Sequence, residues 1–157
     1  MLVVVSGVSG AGKTTVGKLL AEKLAVPFFD ADEFHPPSNK EKMSNGIPLD
    51  DDDRQPWLET LAGKLADWQQ EGGAVLACSA LKDAYRTMLE SRCSESVRWI
   101  ILVGSEDVLA ERLESRQDHF FDPRLLRSQL DAMEIPDYGL QIDIGPSPDE
   151  IVTSILR

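Results

Sequence analysis

Gly7 to Thr14 reads GVSGAGKT, and it stands directly between the apolar run Leu2-Val3-Val4-Val5 and a segment with helical spacing. That order of strand, glycine-rich loop and helix is the context in which such a loop binds phosphate. Gly7, Gly10 and Gly12 let the backbone N–H groups from Gly7 through Val8, Ser9, Gly10 and Ala11 to Gly12 turn inward around an anion. Lys13 supplies a mobile cation for the β- and γ-phosphates, Thr14 offers a hydroxyl to Mg²⁺, and Thr15 continues the same turn. The helix that starts here adds its positive end to the site. The chain therefore reads as a user of a nucleoside triphosphate with Mg²⁺.

A phosphate loop of this kind requires a parallel sheet, and the rest of the pattern supplies one. Short apolar runs at 2–6, 26–29, 74–78, 97–103 and 140–144 alternate with longer amphipathic stretches, which implies strands joined by helical crossovers. A helix is expected over Lys13 to Leu24, with Val16, Leu19, Leu20 and Leu24 at core spacing and Pro27 beyond it. Ser38-x-x-Glu41 suggests a capping box for a short helix ending near Gly46. A longer helix is expected from about Asp52 to Glu71, stopped by Gly72-Gly73, with Trp57, Leu58, Leu61, Leu65 and Trp68 on its core face. Asp50 to Asp53 reads as a solvated loop in which Asp52 or Asp53 caps that helix. Ser105 can cap 106–116, Asp122 with Pro123 can start 123–133, and Ser147-Pro148-Asp149-Glu150 can start the last helix. At 157 residues this is a single domain over 1–157.

The 27 acidic residues outnumber the 16 basic ones, for a net charge of −11, so there is no basic footprint for nucleic acid or an anionic membrane. The same field repels ATP, and a local cationic cluster must overcome it. No apolar run approaches membrane-spanning length, and the N-terminus enters the first strand without a charged leader, so a cytoplasmic location is expected. Cys78 and Cys93 are too few for a disulfide framework or a metal knuckle, and Cys78 reads as a buried thiol.

The second informative stretch is Phe28-Phe29-Asp30-Ala31-Asp32-Glu33-Phe34-His35, whose acids fall just past a strand, at the ligand edge of a parallel sheet. One aspartate there can orient Mg²⁺ through water, and one near an acceptor hydroxyl can take its proton during phosphoryl transfer. The competing reading is an Asx-type turn. The third strand ends Leu76-Ala77-Cys78-Ser79, without the aspartate that often orients magnesium, so no direct magnesium carboxylate is expected from that strand.

GVSGAGKT, FFDADEFHPPSNKEKMSNGIPLDDDDRQPWL, ACSALKDAYR and HFFDPRLLRSQLDAMEIP together resemble the gluconokinase family, which is similar to shikimate kinase and the nucleoside monophosphate kinases. The resemblance implies an α/β three-layer fold, a five-stranded parallel sheet in order 2-3-1-4-5, flanking helices and a lid. It also implies transfer of the γ-phosphoryl of ATP to the 6-hydroxyl of D-gluconate, and it leaves a homodimer open. The family's Asp-x-Asp maps onto Asp30, near magnesium through water, and Asp32, as base or orienting group for the hydroxyl. His35 is placed to hydrogen-bond a polyol. A sugar acid needs cations for its carboxylate, and Arg54, Lys42, Lys82 and Arg86 fit that need, the last two expected on one helix face. Asp83 stands where basic residues are common in similar proteins.

Arg112 to Arg127 resembles the lid, with Gln117-Asp118-His119-Phe120-Phe121-Asp122 as a polar and aromatic break between helices. Arg116 is the first choice for the arginine that stabilises the transferring phosphoryl group, with Arg124 and Arg127 as alternatives. The rival readings are a kinase of another small hydroxy acid such as shikimate, a kinase of a nucleotide, and a phosphate-loop module whose nucleotide state controls a partner.

Overall fold

The computed structural model describes residues 1–115 and 123–157. Its centre is one parallel sheet of β1 (Leu2–Ser6), β2 (Phe28–Asp30), β3 (Ala74–Ala77), β4 (Arg98–Val103) and β5 (Leu140–Asp143), in the order β2-β3-β1-β4-β5. This is the expected α/β arrangement. The inner strands are apolar except for Ser6 at the end of β1 and Arg98 at the start of β4, because both faces are covered. Along β1, Val3 and Val5 face one apolar layer while Leu2 and Val4 face the other; Ile100 and Leu102 against Trp99 and Ile101 repeat the alternation on β4.

Helices α1 (Lys13–Leu24), α2 (Pro37–Ser44), α3 (Asp51–Gln70), α4 (Asp83–Glu90), α5 (Glu106–Glu114), α6 (Pro123–Ala132) and α7 (Pro148–Leu156) connect the strands. Residues of α1, α5, α6 and α7 pack into the first layer, and those of α3 and α4 into the second. Trp57 and Trp68 are buried in the second layer as their spacing on α3 implied, and Trp99 of β4 is buried with them; Trp57 also borders the cavity at the C-terminal edge of the sheet. Gly17 admits Phe28 against α1: a Cβ there would lie 2.6 Å from the Phe28 ring.

Several helix starts differ from the sequence reading. The capping box at Ser38 does not form: α2 begins at Pro37 after Pro36, and Ser38 lies within its first turn. Two consecutive prolines preset the entry backbone and need no side-chain cap. The acidic run 50–53 is not a loop either. Asp50 caps α3 by accepting from the Asp53 N–H at 2.7 Å, and the Asp53 carboxylate accepts from the Asp50 N–H at 3.0 Å. The cap is thus Asp50, with Asp53 as its reciprocal partner. Ser105 and Ser147 cap α5 and α7 through the N–H groups of Val108 and Glu150 as expected, while α5 ends at Glu114, two residues early. No described helix is long and apolar enough to cross a membrane.

Candidate active site

The C-terminal edge of the sheet carries a cavity of about 730 Å³ lined by Ser9, Lys13, Thr14, Asp30, Asp32, His35, Lys40, Arg54, Trp57, Ser79, Leu81 and Gln129 among others. The phosphate loop forms one wall. Its variable positions are anchors: the Val8 and Ala11 side chains are buried in the first apolar layer, which leaves their backbone to the loop. Gly12 takes a left-handed φ of 92° at the start of α1, and a Cβ on Gly7 would lie 2.9 Å from the Leu102 carbonyl oxygen. Lys13 and Thr14 open α1, and Thr15, also in its first turn, is exposed. The Lys13 Nζ donates to the Val8 carbonyl at 3.1 Å, which folds the ammonium back over the loop.

Asp30 joins this wall to the next. Its Oδ2 accepts from the Thr14 hydroxyl at 3.1 Å, and its Oδ1 accepts from the Asp32 N–H at 3.0 Å, capping the 3₁₀ turn Ala31–Phe34. The Asx-type turn forms, and the same carboxylate also faces the Thr14 hydroxyl at the phosphate loop. The Thr14 hydroxyl and the Asp30 carboxylate suit a hard cation completed by water and phosphate. Among the described residues no cluster of three or more His, Cys, Asp or Glu could hold a metal by itself. Asp32 keeps solvent-exposed area within the cavity, yet the protein walls crowd it. That desolvation raises its carboxyl above the usual value, Asp30 adds to the rise, and Lys13 and Lys40 oppose it.

The wall facing the phosphate loop is built on α2 and α3. His35 stacks on Trp57 with ring centroids 4.1 Å apart, and Trp57 donates to the Ala31 carbonyl at 2.8 Å, so one indole fixes both the histidine and the turn that bears Asp32. Asn39 Nδ2 donates to the Asp53 carbonyl at 2.8 Å and approaches His35 Nδ1 at 3.2 Å. Since that amide nitrogen can only donate, Nδ1 accepts and the ring is neutral. Burial, with Arg54 and Lys40 nearby, lowers the His35 pKa to about 4. The unfolded chain protonates this histidine near its ordinary value of 6.5 while the fold keeps it neutral to about 4, so stability is full above 6.5 and is lost as pH falls towards 4. The melting temperature is expected to drop through that window, and the part due to His35 to vanish in His35→Phe. An unchanged acid profile would show that the ring is not held neutral.

The structure sorts the four expected substrate cations. Arg54 lines the cavity; its Nη1 donates to the Tyr85 hydroxyl at 3.1 Å, and its guanidinium lies 5.4 Å from that ring's centroid. Lys42, Lys82 and Arg86 are not among the lining residues. On α2 the cavity-facing set is Lys40, Met43 and Ser44, at helical spacing, so Lys42 turns away and pairs with Asp53 at 2.8 Å. Lys82 precedes α4 and donates to Asp51 at 3.1 Å, so it shares no helix face with Arg86. Arg86 is only 2% exposed. It donates to the carbonyls of Ala80 and Glu134 and to the Tyr138 hydroxyl, each at 2.8 Å. It is a clamp on the β3–α4 loop, where Ala80 holds a positive φ of 38°. Asp51 accepts from both Lys82 and the Tyr85 hydroxyl, a network hidden in what looked like a solvated acidic run.

Of the lid segment, Arg116 and residues 117–122 lie outside the described residues. Arg112 sits beside the phosphate loop, donating to the Ile144 carbonyl at 2.6 Å, with Nη1 3.9 Å from where a Cβ on Gly12 would stand. Arg127 pairs with Glu106 and Asp131 on the exposed face of α6, away from the cavity. Sequence reading missed Lys40, Asn39 and Gln129. Only helical phase relative to Asp32 could have separated Lys40 from Lys42, and the LLRSQL string gave no sign of where Gln129 would point. Cys78 is buried as expected, its thiol pushed up to about 12 by desolvation.

This geometry has close counterparts. The family model for shikimate kinase matches residues 9–135. A probable gluconokinase of Dictyostelium discoideum is 44% identical over all of this chain and 85% of its own length. A gluconokinase of Arabidopsis thaliana is 39% identical over 99% of this chain and 90% of its own. The crystal structure of a gluconokinase from Sinorhizobium meliloti 1021 superposes with a TM-score of 0.90 at 42% identity, covering 99% of this chain and 89% of that one. Matched over nearly its whole length in sequence and in fold, the chain belongs to the gluconokinase family of shikimate-kinase-like phosphoryl-transfer enzymes.

Proposed function

We propose that this enzyme transfers the γ-phosphoryl group of ATP to the 6-hydroxyl of D-gluconate, with Mg²⁺ at Thr14 and Asp30. The observation that carries the reading is one cavity in which a phosphate loop and Asp32 face a wall bearing Arg54, His35 and Lys40. The phosphates lie along the loop N–H groups with Lys13 over them, which aligns the leaving and attacking oxygens. A bound magnesium ion would neutralise charge on the phosphates. Asp32 accepts the acceptor hydroxyl's hydrogen bond and, as transfer proceeds, its proton; the raised carboxyl suits that task better than an ordinary one. Arg54, fixed through the Tyr85 hydroxyl, presents a guanidinium to the carboxylate of the acid. Neutral His35 and Lys40 meet its hydroxyl chain. Arg116, whose assignment rests on the sequence, enters from the segment between α5 and α6 to stabilise the transferring group.

The test is ADP production with gluconate, shikimate and nucleoside monophosphates offered in parallel. Turnover stimulated by gluconate alone is the expected result, and preference for either of the others would replace the substrate. Nucleotide-dependent association with a partner, without any acceptor-stimulated turnover, would turn the reading to a binding module. Arg54→Met is expected to raise KM for gluconate by about 10–100-fold, the scale of a lost charge-assisted hydrogen bond, with KM for ATP nearly unchanged. Equal loss on both substrates would move Arg54 out of the acceptor site.

A further inference from the structure

Helix α6 and the residues just past it touch both halves of the cavity. Within the helix, the Gln129 side-chain amide meets Ser9 of the phosphate loop, 120 positions away in sequence, at two points. The Ser9 N–H donates to Gln129 Oε1 at 2.8 Å, and Gln129 Nε2 donates to the Ser9 hydroxyl at 3.0 Å. Past its C-terminal end, the Glu134 N–H donates to the Leu81 carbonyl at 2.8 Å, and the Glu134 carboxylate accepts from the Asp83 N–H at 2.7 Å. Arg86 completes this anchor through the Glu134 carbonyl at 2.8 Å. Ser9 lines the nucleotide side of the cavity, and Leu81 belongs to the β3–α4 loop on the acceptor side. One short helix therefore ties the two loops together.

We propose that Gln129 is a positioning residue that couples the two substrate sites, so that seating the phosphates in the loop and seating the acceptor favour one another. A primary amide carries a donor and an acceptor side by side, and Ser9 offers the complementary pair. One bond holds the Ser9 backbone N–H and the other its hydroxyl, so the residue is gripped at two points where a single bond would leave it free to turn. The Ser9 N–H, expected from the sequence to face an anion, is committed to Gln129 instead, so what the clip controls is the turn that aims the loop N–H groups following it. At the far end, three hydrogen bonds transmit any shift of α6 to the loop that carries Ser79 and Leu81. The clip thus links the conformations preferred by each ligand, and such a link is reciprocal.

This inference rests on the reading that the cavity holds ATP and a hydroxy acid together, and the experiment separates the two. Gluconate is titrated calorimetrically into the protein alone and into protein saturated with magnesium and a non-hydrolysable ATP analogue. If the acceptor panel selects another acid, that acid is the titrant. Gluconate binding by the wild type tests the functional reading; the ratio of the two affinities tests the coupling. In the wild type the analogue is expected to tighten gluconate binding at least about 5-fold. Gluconate KM should be lower at saturating ATP in the same proportion. In Gln129→Met, similar in length but without the amide, the ratio should fall below roughly 2-fold. Ser9→Ala should fall part of the way, Ser9→Thr should keep the coupling, and Gln129→Met with Ser9→Ala together should be no worse than Gln129→Met alone. If Gln129→Met melts early, the Ser9→Ala and Ser9→Thr pair carries the test, because each keeps the backbone bond. A wild-type ratio of one, a Gln129→Met ratio equal to the wild type's, or additive losses in the double variant would overturn the proposal.

Discussion

Replacing Lys13 by alanine is expected to lower the gluconate-dependent rate by at least about 10²–10³-fold, the usual cost of removing one preorganised charge stabiliser from a transition state. The ammonium already lies folded over the loop, 3.1 Å from the Val8 carbonyl, so its loss requires no rearrangement of the binding site. The fold should persist, because Lys13 is only half buried at the first turn of α1 while Val8, Ala11 and Val16 hold the segment in the core. Single-turnover rates together with the melting temperature would check both parts. A folded variant with retained turnover would remove the phosphate loop from the chemistry. Lys13 also lowers the Asp32 carboxyl pKa, so whatever activity remains should lose its acid limb at a higher pH than the wild type.

Asp32→Asn should reduce the gluconate-dependent rate by about 10²–10⁴-fold while leaving ATP affinity close to the wild type's. The amide matches the carboxylate in size, so the loss measures charge and proton acceptance more than shape. The pH profile gives a second reading. Desolvation and Asp30 raise the Asp32 pKa, and the working form is the deprotonated one, so activity should be present above that raised value and lost as pH falls through it. The acid limb of kcat/KM is thus expected above the ordinary carboxylate value of 3.8, and it should be absent from the residual rate of Asp32→Asn. Weakened ATP binding with an unchanged single-turnover rate would assign Asp32 to the nucleotide side instead.

Local rules were enough for much of the scaffold. The apolar run before GVSGAGKT became β1, the spacing of Val16, Leu19, Leu20 and Leu24 became α1 over Lys13–Leu24, and Ser105 and Ser147 became caps, because each depends on neighbours within a turn or a strand. The strand order came from resemblance, since parallel pairing joins residues as distant as Leu2 and Ala74 and no spacing within either run records it. The acidic run 50–53 misled for a related reason. Its residues satisfy local turn chemistry, but Lys42, Lys82 and Tyr85, brought in by α2 and α4, turn them into structural acceptors.

The sequence by itself determined the class of chemistry here: glycines, a lysine and a threonine at those intervals can wrap a triphosphate, and Asp30 and Asp32 fall just past a strand, at the same edge of the sheet. Tertiary structure alone decided which cations face the cavity and which hold the fold. Arg54 reaches the cavity, whereas Arg86 is buried as a clamp on three carbonyls, those of Ala80, Leu81 and Glu134. Lys40 and Lys42 are nearly the same in sequence, but on a helix two residues turn the side chain by about 200°, so one faces the cavity and the other Asp53. A cation's role is set by what surrounds it, and that surrounding is assembled from segments far apart in the chain.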